Sequence, residues 1–421
     1  MGWFFTETVS LPGKTVDAKR DFGAKGDGKA DDTQAVQATI DAAREHGNRA
    51  LAYFPAGTYN ITRTLQVHGR NYSLGGAGLE TTLRWRGPLV PSVMEVKDPQ
   101  AIAIEHLTIA SDNDGARVRR GTTESGKKTS VAEFFKSKTA EDRIRENTGN
   151  VKIRQTGEAK QSSIHYNGLY LTSTYDAVPG IEFVNLPPGT EVRIGALYGC
   201  LHFSDSAQAT ALASVHYGRL VVDGAKLPKS GFIGMLFHND VHRDFALTVK
   251  DNQDLVVADF YQEQNERHVL LEGGERAGKG HVTIGSSKIA SVEPGFVTIR
   301  DYEGRVWISG GSVHYPTPGA AYQTNPVFLA HTGKRPLDFI LAATHFFQRG
   351  TGEPDPVFNF AESVRFASIE NSCGGGQGIH PLPNRVPEGS LQVAAEALDD
   401  FREIGRINLR LNYPNNLKAA K

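Results

Sequence analysis

The sequence predicts an all-β solenoid, and three observations support this fold class. A turn-rich opening at 21–34 leads into one amphipathic helix and one buried strand. From residue 72 onward, short β-like runs alternate with Gly, Asn, Asp and Pro, and no helical period of comparable strength lies between them. The irregular spacing and the successive apolar residues favour stacked parallel coils over a propeller or a sandwich.

The opening consists of a turn, a helix and a strand in close succession. Gly26–Gly28 and Asp31–Asp32 are residues that tolerate tight turns and cap helices. Thr33–His46 has an apolar face at helical spacing and ends at Gly47, which suits the position after a helix. Ala50–Phe54 then reads as a buried strand, so we expect the helix and the strand to pack on each other.

Two segments interrupt the series of strands. Residues 116–162 are rich in charged residues and contain a capping box at Ser130–Glu133, which predicts a partly helical excursion from one coil. Val393–Ile404 has helical spacing, and alternating apolar residues follow at 407–411. We therefore predict an N-terminal extension at 1–20, a solenoid domain at 21–390 and a C-terminal helical and strand cap at 391–421.

Composition excludes several classes of protein. The chain has 421 residues, a formal net charge of -1 and no long uncharged apolar run, so neither a membrane protein nor a nucleic-acid-binding protein is expected. Cys200 and Cys373 are too few for a disulfide framework, and the sequence does not say whether they pair. The start lacks the basic flank and apolar core of a secretory signal, which predicts a cytoplasmic or a processed form.

The opening resembles the start of the pectate-lyase superfamily domain, which includes rhamnogalacturonase-like and epimerase-like proteins and phage tailspikes. The resemblance is carried by the segments Asp21–Ala24, Gly26–Gly28, Asp31–Thr33, Tyr53–Tyr59 and Leu74–Gly78. It implies a single-stranded right-handed parallel β-helix with an N-terminal capping helix. It also implies that Asp27, Asp31 and Asp32 are turn and cap residues.

The resemblance implies a polysaccharide or oligosaccharide ligand bound in a groove along one parallel sheet. We expect a glycoside hydrolase or a polysaccharide lyase, secreted or periplasmic as a processed form, and monomeric or homotrimeric. A non-catalytic sugar-binding or tailspike-like protein remains an alternative, as does one module of a larger enzyme. The paired aspartates and Gly-His-Gly pattern of polygalacturonases are missing as a set, which disfavours that hydrolase.

Two polar segments in the middle of the chain are candidates for acid and base chemistry. They lie at 237–244 and 259–268, each directly after an apolar run and separated by about one coil. Glycoside hydrolysis uses two carboxyl groups, and stacked coils could bring such groups together. The predicted catalytic residues are Asp240, Asp259, Glu263 and His238.

Further residues could bind sugar. Aromatic rings pack on the apolar faces of sugars, and arginine pairs with uronate carboxylates. The predicted substrate-binding residues are Tyr261, Arg243, Arg267, Trp307 and Tyr315. No metal site or cofactor is predicted, because the oxygen-rich run Ser111–Gly115, which could hold calcium, lacks a bidentate acid at a suitable distance.

A different constellation is the repeated His-Tyr pair at 165–166, 216–217 and 314–315. Lyases acting on uronates can use His as a base and Tyr as an acid. Neighbouring residues on a strand point to opposite faces, so at most one member of each pair can face a groove.

Overall fold

The computed structural model describes residues 13–114, 149–158, 162–172, 178–187, 190–205, 214–216, 220–223, 232–238, 245–252, 254–263, 267–274, 279–290, 296–315, 327–348, 357–359, 363–375, 378–381 and 391–393. These residues form a right-handed parallel β-helix, which confirms the predicted fold class. Within the described residues, no helix is long and apolar enough to span a membrane. The C-terminal helix predicted from 393 lies outside the described residues.

Two sheets run the length of the solenoid, and the chain passes repeatedly from one to the other. Sheet A contains β1 (Thr15–Asp17), β3 (Ala50–Phe54), β5 (Leu65–Gly76), β7 (Ser92–Glu105), β9 (Val151–Thr156), β10 (Ser163–Asn167), β12 (Ile181–Val184), β13 (Glu191–Ile194), β15 (Leu201–Ser204), β17 (Leu220–Asp223), β19 (Phe245–Lys250), β21 (Arg267–Glu272), β23 (Val297–Arg300), β25 (Val327–Thr332) and β28 (Val357–Asn359).

Sheet B contains β2 (Asp27–Asp31), β4 (Gly57–Ile61), β6 (Thr81–Trp85), β8 (Thr108–Ser111), β11 (Leu169–Leu171), β14 (Ala196–Tyr198), β16 (Ser214–His216), β18 (Phe232–His238), β20 (Leu255–Glu263), β22 (Gly280–Ala290), β24 (Gly304–Tyr315), β26 (Leu337–Ala342), β27 (His345–Gln348), β29 (Val364–Ile369), β30 (Ser372–Gly375), β31 (Gly378–Pro381) and β32 (Leu391–Val393). Among the described strands, only β30 and β31 pair antiparallel.

The opening folds as its sequence predicts. Helix α1 spans Ala18–Phe22 and helix α2 spans Thr33–His46, and α2 buries Val36 and Ile40 completely. One 3-10 turn follows at Gly78–Glu80. Asp32 accepts hydrogen bonds from the backbone N–H groups of residues 25 and 26 at 2.7 and 2.9 Å, and Asp27 accepts them from residues 29 and 30. These aspartates therefore hold turns, as predicted.

The core consists of apolar side chains stacked in register. One row on the inner side of sheet A is at most 1% exposed and runs through Met94, Ile153, Ile181, Leu201, Leu220, Leu247, Val269 and Val297. Each such side chain contributes roughly 1.5–3 kcal/mol on burial, so the row holds consecutive coils together.

The charged excursion is shorter than the sequence suggests. Val151–Thr156 forms β9 within sheet A, so the span predicted as 116–162 contains a core strand. The strand was not predicted because its sequence contains charged residues. In the structure Arg154 points outward, whereas Ile153 and Gln155 are buried. Residues 115–148 lie outside the described residues.

The long strands bend, which gives the solenoid three outer faces. The first half of β7 pairs with β9, and its second half pairs with β10, with left-handed backbone at Asp98 and Ala101 between the halves. We call the outer surface of 65–68, 92–97, β9, β12 and β15 face 1. We call the outer surface of β3, 72–75, 100–105, β10 and β13 face 2, and the outer surface of sheet B face 3.

Candidate active site

The structure describes the predicted site residues to different extents. Asp240 and Arg243 lie outside the described residues. For four others only the strand position is described, and these are His238 in β18, Glu263 in β20, Arg267 in β21 and Tyr315 in β24. The side chains of Asp259, Tyr261 and Trp307 are described.

Asp259 and Glu263 lie on one strand and not on neighbouring coils. They are four residues apart in β20, which places their Cα atoms about 13 Å apart at the usual strand rise. Glycosidases hold their two carboxyl groups roughly 5 to 9.5 Å apart. Burial raises the pKa of Asp259, but its strand does not pair it closely with Glu263. His238 stands opposite Gln262 in the register.

Aromatic residues on the outer faces largely pack against protein. Trp307 contacts an apolar cluster on the outer side of sheet B that contains Ile340 and Ala367. On face 3, Tyr170 and Tyr198 stack with ring centroids 4.1 Å apart. Strand register aligns Tyr261 with this row. Because stacked rings cover each other's faces, Tyr170 and Tyr198 present mainly ring edges to the outside.

Glu105, His165 and Arg193 form a compact polar cluster on face 2. The Nδ1 atom of His165 lies 3.4 Å from Oε1 of Glu105, and both side chains are about one third exposed. Arg193 stands directly opposite His165 on the neighbouring strand. Three consecutive coils therefore supply a carboxylate, an imidazole and a guanidinium to one surface.

The His-Tyr pair at 165–166 places one residue on each side of β10, which confirms the inference from strand alternation. His165 faces outward, whereas Tyr166 is fully buried and donates a hydrogen bond from its hydroxyl to Oε1 of Gln155 at 2.8 Å. Burial raises the pKa of Tyr166, which suits a structural role. Tyr217 and the side chains of the other two pairs lie outside the described residues.

The imidazole of His165 is held by a contact at Nδ1, and its Nε2 atom is open to a ligand. Among the described residues, its Nδ1 atom has Glu105 as its charged neighbour, and no partner is found for Nε2. Arg193 forms an ion pair with Glu191, in which Nε lies 2.7 Å from Oε1. That pair is solvent-exposed, so it is worth little and the guanidinium can exchange its partner for a ligand carboxylate.

Tyr53 and a group of small residues lie next to the Glu105–His165–Arg193 cluster on face 2. In the strand register, Tyr53 stands opposite Gly75, which stands opposite Glu105. The neighbouring row contains Ser73, Ala103 and His165 in sequence. Leu51 stands next to Tyr53 at the end of this row, and the positions between these two residues and the Glu105–His165 pair carry only Gly75, Ser73 and Ala103.

Face 1 also carries a charged row, but its members neutralise each other. Arg154 Nε lies 3.2 Å from Oε2 of Glu182, and Nδ1 of His202 lies 3.9 Å from the other oxygen of Glu182. Glu95 stands on the other side of Arg154 in the register. The guanidinium occupies the space between the two glutamates, where a hydrolase would need the scissile bond, so this row is best explained as a structural ladder.

No metal centre is found within the part of the chain that the structure describes, because it contains no group of three or more His, Cys, Asp or Glu side chains placed to bind an ion. Asp112 and Asp114 of the oxygen-rich run are instead paired with Arg84 and Lys152, respectively.

Residues 16–87 match the family described as rhamnogalacturonase A/epimerase, pectate lyase-like. Over this segment the chain is similar to pectate lyase-like proteins. The match confirms the resemblance seen in the opening and includes Tyr53, Ser73 and Gly75. Glu105, His165 and Arg193 lie outside it, so the family match does not assign their roles.

Two curated proteins share a short stretch with this chain. Alginate lyase 7 of Azotobacter vinelandii is 56% identical over 43 residues, which is 10% of this chain and 5% of that protein. Mannuronan C5-epimerase AlgE5 of the same organism is 54% identical over 72 residues, which is 15% of this chain and 7% of that protein. The chain thus spans a small part of the length of both relatives.

A similar solved structure is a family 28 exopolygalacturonase of Yersinia enterocolitica, which is 12% identical to this chain. The superposition has a TM-score of 0.43 and covers 91% of this chain and 78% of that one.

Sequence reasoning singled out His165 but missed Glu105, Arg193 and Tyr53. His165 was visible because of its place in a repeated dipeptide. Its partners are separated from it by 60, 28 and 112 positions in the chain. Only the register between coils brings them to one face.

Proposed function

We propose that this protein cleaves a uronate-containing polysaccharide by β-elimination, with His165 as the base. The observation that carries the proposal is the arrangement of Glu105, His165 and Arg193 on three consecutive coils of face 2. The names of the relatives support the choice of substrate, because alginate lyase and mannuronan epimerase both denote proteins acting on uronate polymers.

The residues supply the groups that this reaction needs. Glu105 favours the tautomer of His165 that carries its proton on Nδ1, which leaves the lone pair of Nε2 available as a base. Arg193 neutralises the uronate carboxylate, so negative charge can develop on it when the neighbouring C5 proton is removed. Cross-strand neighbours such as His165 and Arg193 suit this task, because C5 and the carboxylate carbon are adjacent atoms of the sugar.

The atoms and electrons balance without a cofactor. Nε2 of His165 takes the proton from C5, and the electrons of the C–H bond form the C4–C5 double bond. The C4–O4 bond breaks, and O4 departs with its electron pair and receives a proton. The protonated imidazole can return that proton to O4 when C5–H and O4 lie on the same side of the ring.

The test is a polysaccharide panel containing alginate, polygalacturonate and neutral polymers, assayed both for reducing ends and for ultraviolet absorbance of the unsaturated product. We expect both signals with a uronate polymer. Reducing ends without absorbance would indicate hydrolysis. If neither signal appears, incubation in D2O and a binding assay separate the remaining cases: deuterium at C5 without cleavage would indicate epimerisation, and binding alone would indicate a sugar-binding protein. Each of these three results would overturn elimination.

His165→Ala is expected to lower kcat/KM by at least about 100-fold, because a positioned general base contributes on that scale. A matched control is His281→Ala. Nδ1 of His281 lies 3.2 Å from Asp254, and the pair is on a different part of the solenoid. The control should keep the activity of the parent protein. Equal losses in both variants, or unchanged activity in His165→Ala, would contradict the assignment.

A further inference from the structure

Tyr53 marks the end of the cluster on face 2. It faces outward from β3 and stands two strands from Glu105, with Gly75 between them. At the usual spacing of strands, the Cα atoms of Tyr53 and Glu105 are therefore about 10 Å apart. That distance leaves room between the two side chains for a ring resting on the sheet.

Gly75 keeps this space open. A Cβ atom at Gly75 would lie 3.3 Å from Cδ1 of Leu51 and 3.5 Å from the backbone oxygen of Glu105, so a side chain there would have to rise from the surface. The adjoining positions of the next row are Ser73 and Ala103, whose side chains are also short. Face 2 thus has a trough over Gly75, Ser73 and Ala103 that is bounded by Tyr53 and Leu51 on one side and by Glu105 and His165 on the other.

The Tyr53 ring is available to a ligand. Among the described residues, the side chain of Tyr53 takes part in no hydrogen bond or ring stacking, and the residue is partly buried. Tyr170 and Tyr198 on face 3 differ in this respect, because each covers the face of the other. A tyrosine with an open face and a hydroxyl group matches the apolar face and polar rim of a pyranose ring.

We propose that Tyr53 is a specificity-determining residue that binds the sugar units next to the unit held at His165 and Arg193. This inference rests on the proposed function for the position of the reacting sugar. The polysaccharide crosses the strands of face 2 and runs along the solenoid axis. Successive sugar units then contact Arg193 and His165, the floor formed by Ser73 and Ala103, and finally Tyr53.

The binding test is made in a His165→Ala background, so that the polymer is not consumed. Affinity for alginate and for short alginate oligomers is measured by calorimetry with and without Tyr53→Ala. We expect Tyr53→Ala to weaken polymer binding about three- to tenfold, the scale of one aromatic contact, and to affect the shortest oligomers less. Tyr53→Phe should retain most of the affinity, and the control Tyr170→Ala should leave it unchanged.

In the otherwise unaltered protein, Tyr53→Ala should raise KM for the polymer while kcat changes little. Parent-like affinity of Tyr53→Ala for the polymer would overturn the role of Tyr53, as would an equal effect of Tyr170→Ala. The outcomes also separate the two proposals. If His165→Ala keeps full activity while Tyr53→Ala weakens binding, the base assignment fails and the sugar-binding role of Tyr53 stands.

Discussion

Lys152→Met is expected to destabilise the folded protein by about 3–5 kcal/mol, because it leaves a buried carboxylate without its cation. Lys152 is completely buried, and its Nζ atom lies 2.6 Å from Oδ1 of Asp114. Nζ also donates to the backbone oxygen of Asn150 at 2.7 Å. The other oxygen of Asp114 accepts a hydrogen bond from Thr172 at 2.9 Å.

The pKa shifts of Asp114 and Lys152 show that burial opposes the charge of each group. Burial raises the pKa of Asp114, against the opposing attraction of Lys152. Burial likewise lowers the pKa of Lys152, against the attraction of Asp114. Each ion is therefore tolerated in this environment mainly because of the other. The pair also joins the two ends of the 115–148 segment, since Asp114 precedes it and Lys152 follows it.

Urea denaturation at neutral pH measures this prediction. The double variant Asp114→Asn/Lys152→Met removes both charges and should lose less stability than Lys152→Met alone. The surface control is Lys250→Met: Lys250 lies 3.4 Å from Asp223, and both side chains are more than one third exposed. The control should cost at most about 1 kcal/mol. Similar decreases in the free energy of unfolding for Lys152→Met and Lys250→Met would show that the buried pair contributes no more to stability than the surface pair.

His268 should make the folded protein sensitive to mild acid. It is completely buried and stacks on Phe296 with ring centroids 5.3 Å apart. Neither of its ring nitrogens has a hydrogen-bond partner within the described chain. Burial lowers the pKa of His268 to about 3, so the folded protein holds this imidazole neutral.

The unfolded chain binds a proton at His268 below about pH 6.5, whereas the folded protein does not until about pH 3. The stability that the neutral imidazole contributes is therefore complete above pH 6.5 and is lost as the pH falls towards 3. Between pH 7 and pH 5 the loss from this one group should be about 2 kcal/mol.

His268→Phe tests this linkage, because phenylalanine fits the stack and has no titratable nitrogen. Unfolding free energies from urea curves at pH 7 and pH 5 should fall by about 2 kcal/mol less in His268→Phe than in the parent protein. The control His281→Phe replaces a histidine that is 59% exposed and should retain the acid sensitivity of the parent. Parallel losses in the parent protein and in His268→Phe would refute the assignment.

Local patterns predicted local structure well. The helix Thr33–His46 and the strand Ala50–Phe54 form at the predicted positions, and Gly26 and Gly28 have the left-handed backbone expected of turn residues. Their signals are capping residues and periodicity, which act over a few residues and are therefore visible in one sequence. Strand alternation also predicted that His165 and Tyr166 lie on opposite sides of their strand, as they do.

Contacts between coils were harder to predict. Asp259 and Glu263 are conspicuous carboxylates close together in the sequence, yet β20 places them about 13 Å apart along one strand. Lys152 and Arg154 suggest a solvated excursion, but they belong to a core strand in which one is buried and the other is paired. Whether a charged side chain is buried or exposed depends on its ion-pair partners. The partners of Lys152 and Arg154 are distant from them in the sequence.

The sequence by itself predicted the β-helix, because turn chemistry and short apolar strands are properties of short segments, and the resemblance of its opening pointed to the superfamily. The tertiary structure decided which side chains share a surface. Loops of unequal length separate the coils, so the sequence does not fix which residues become neighbours, whereas backbone hydrogen bonding between parallel strands does. That register brings Tyr53, Glu105, His165 and Arg193 to one face.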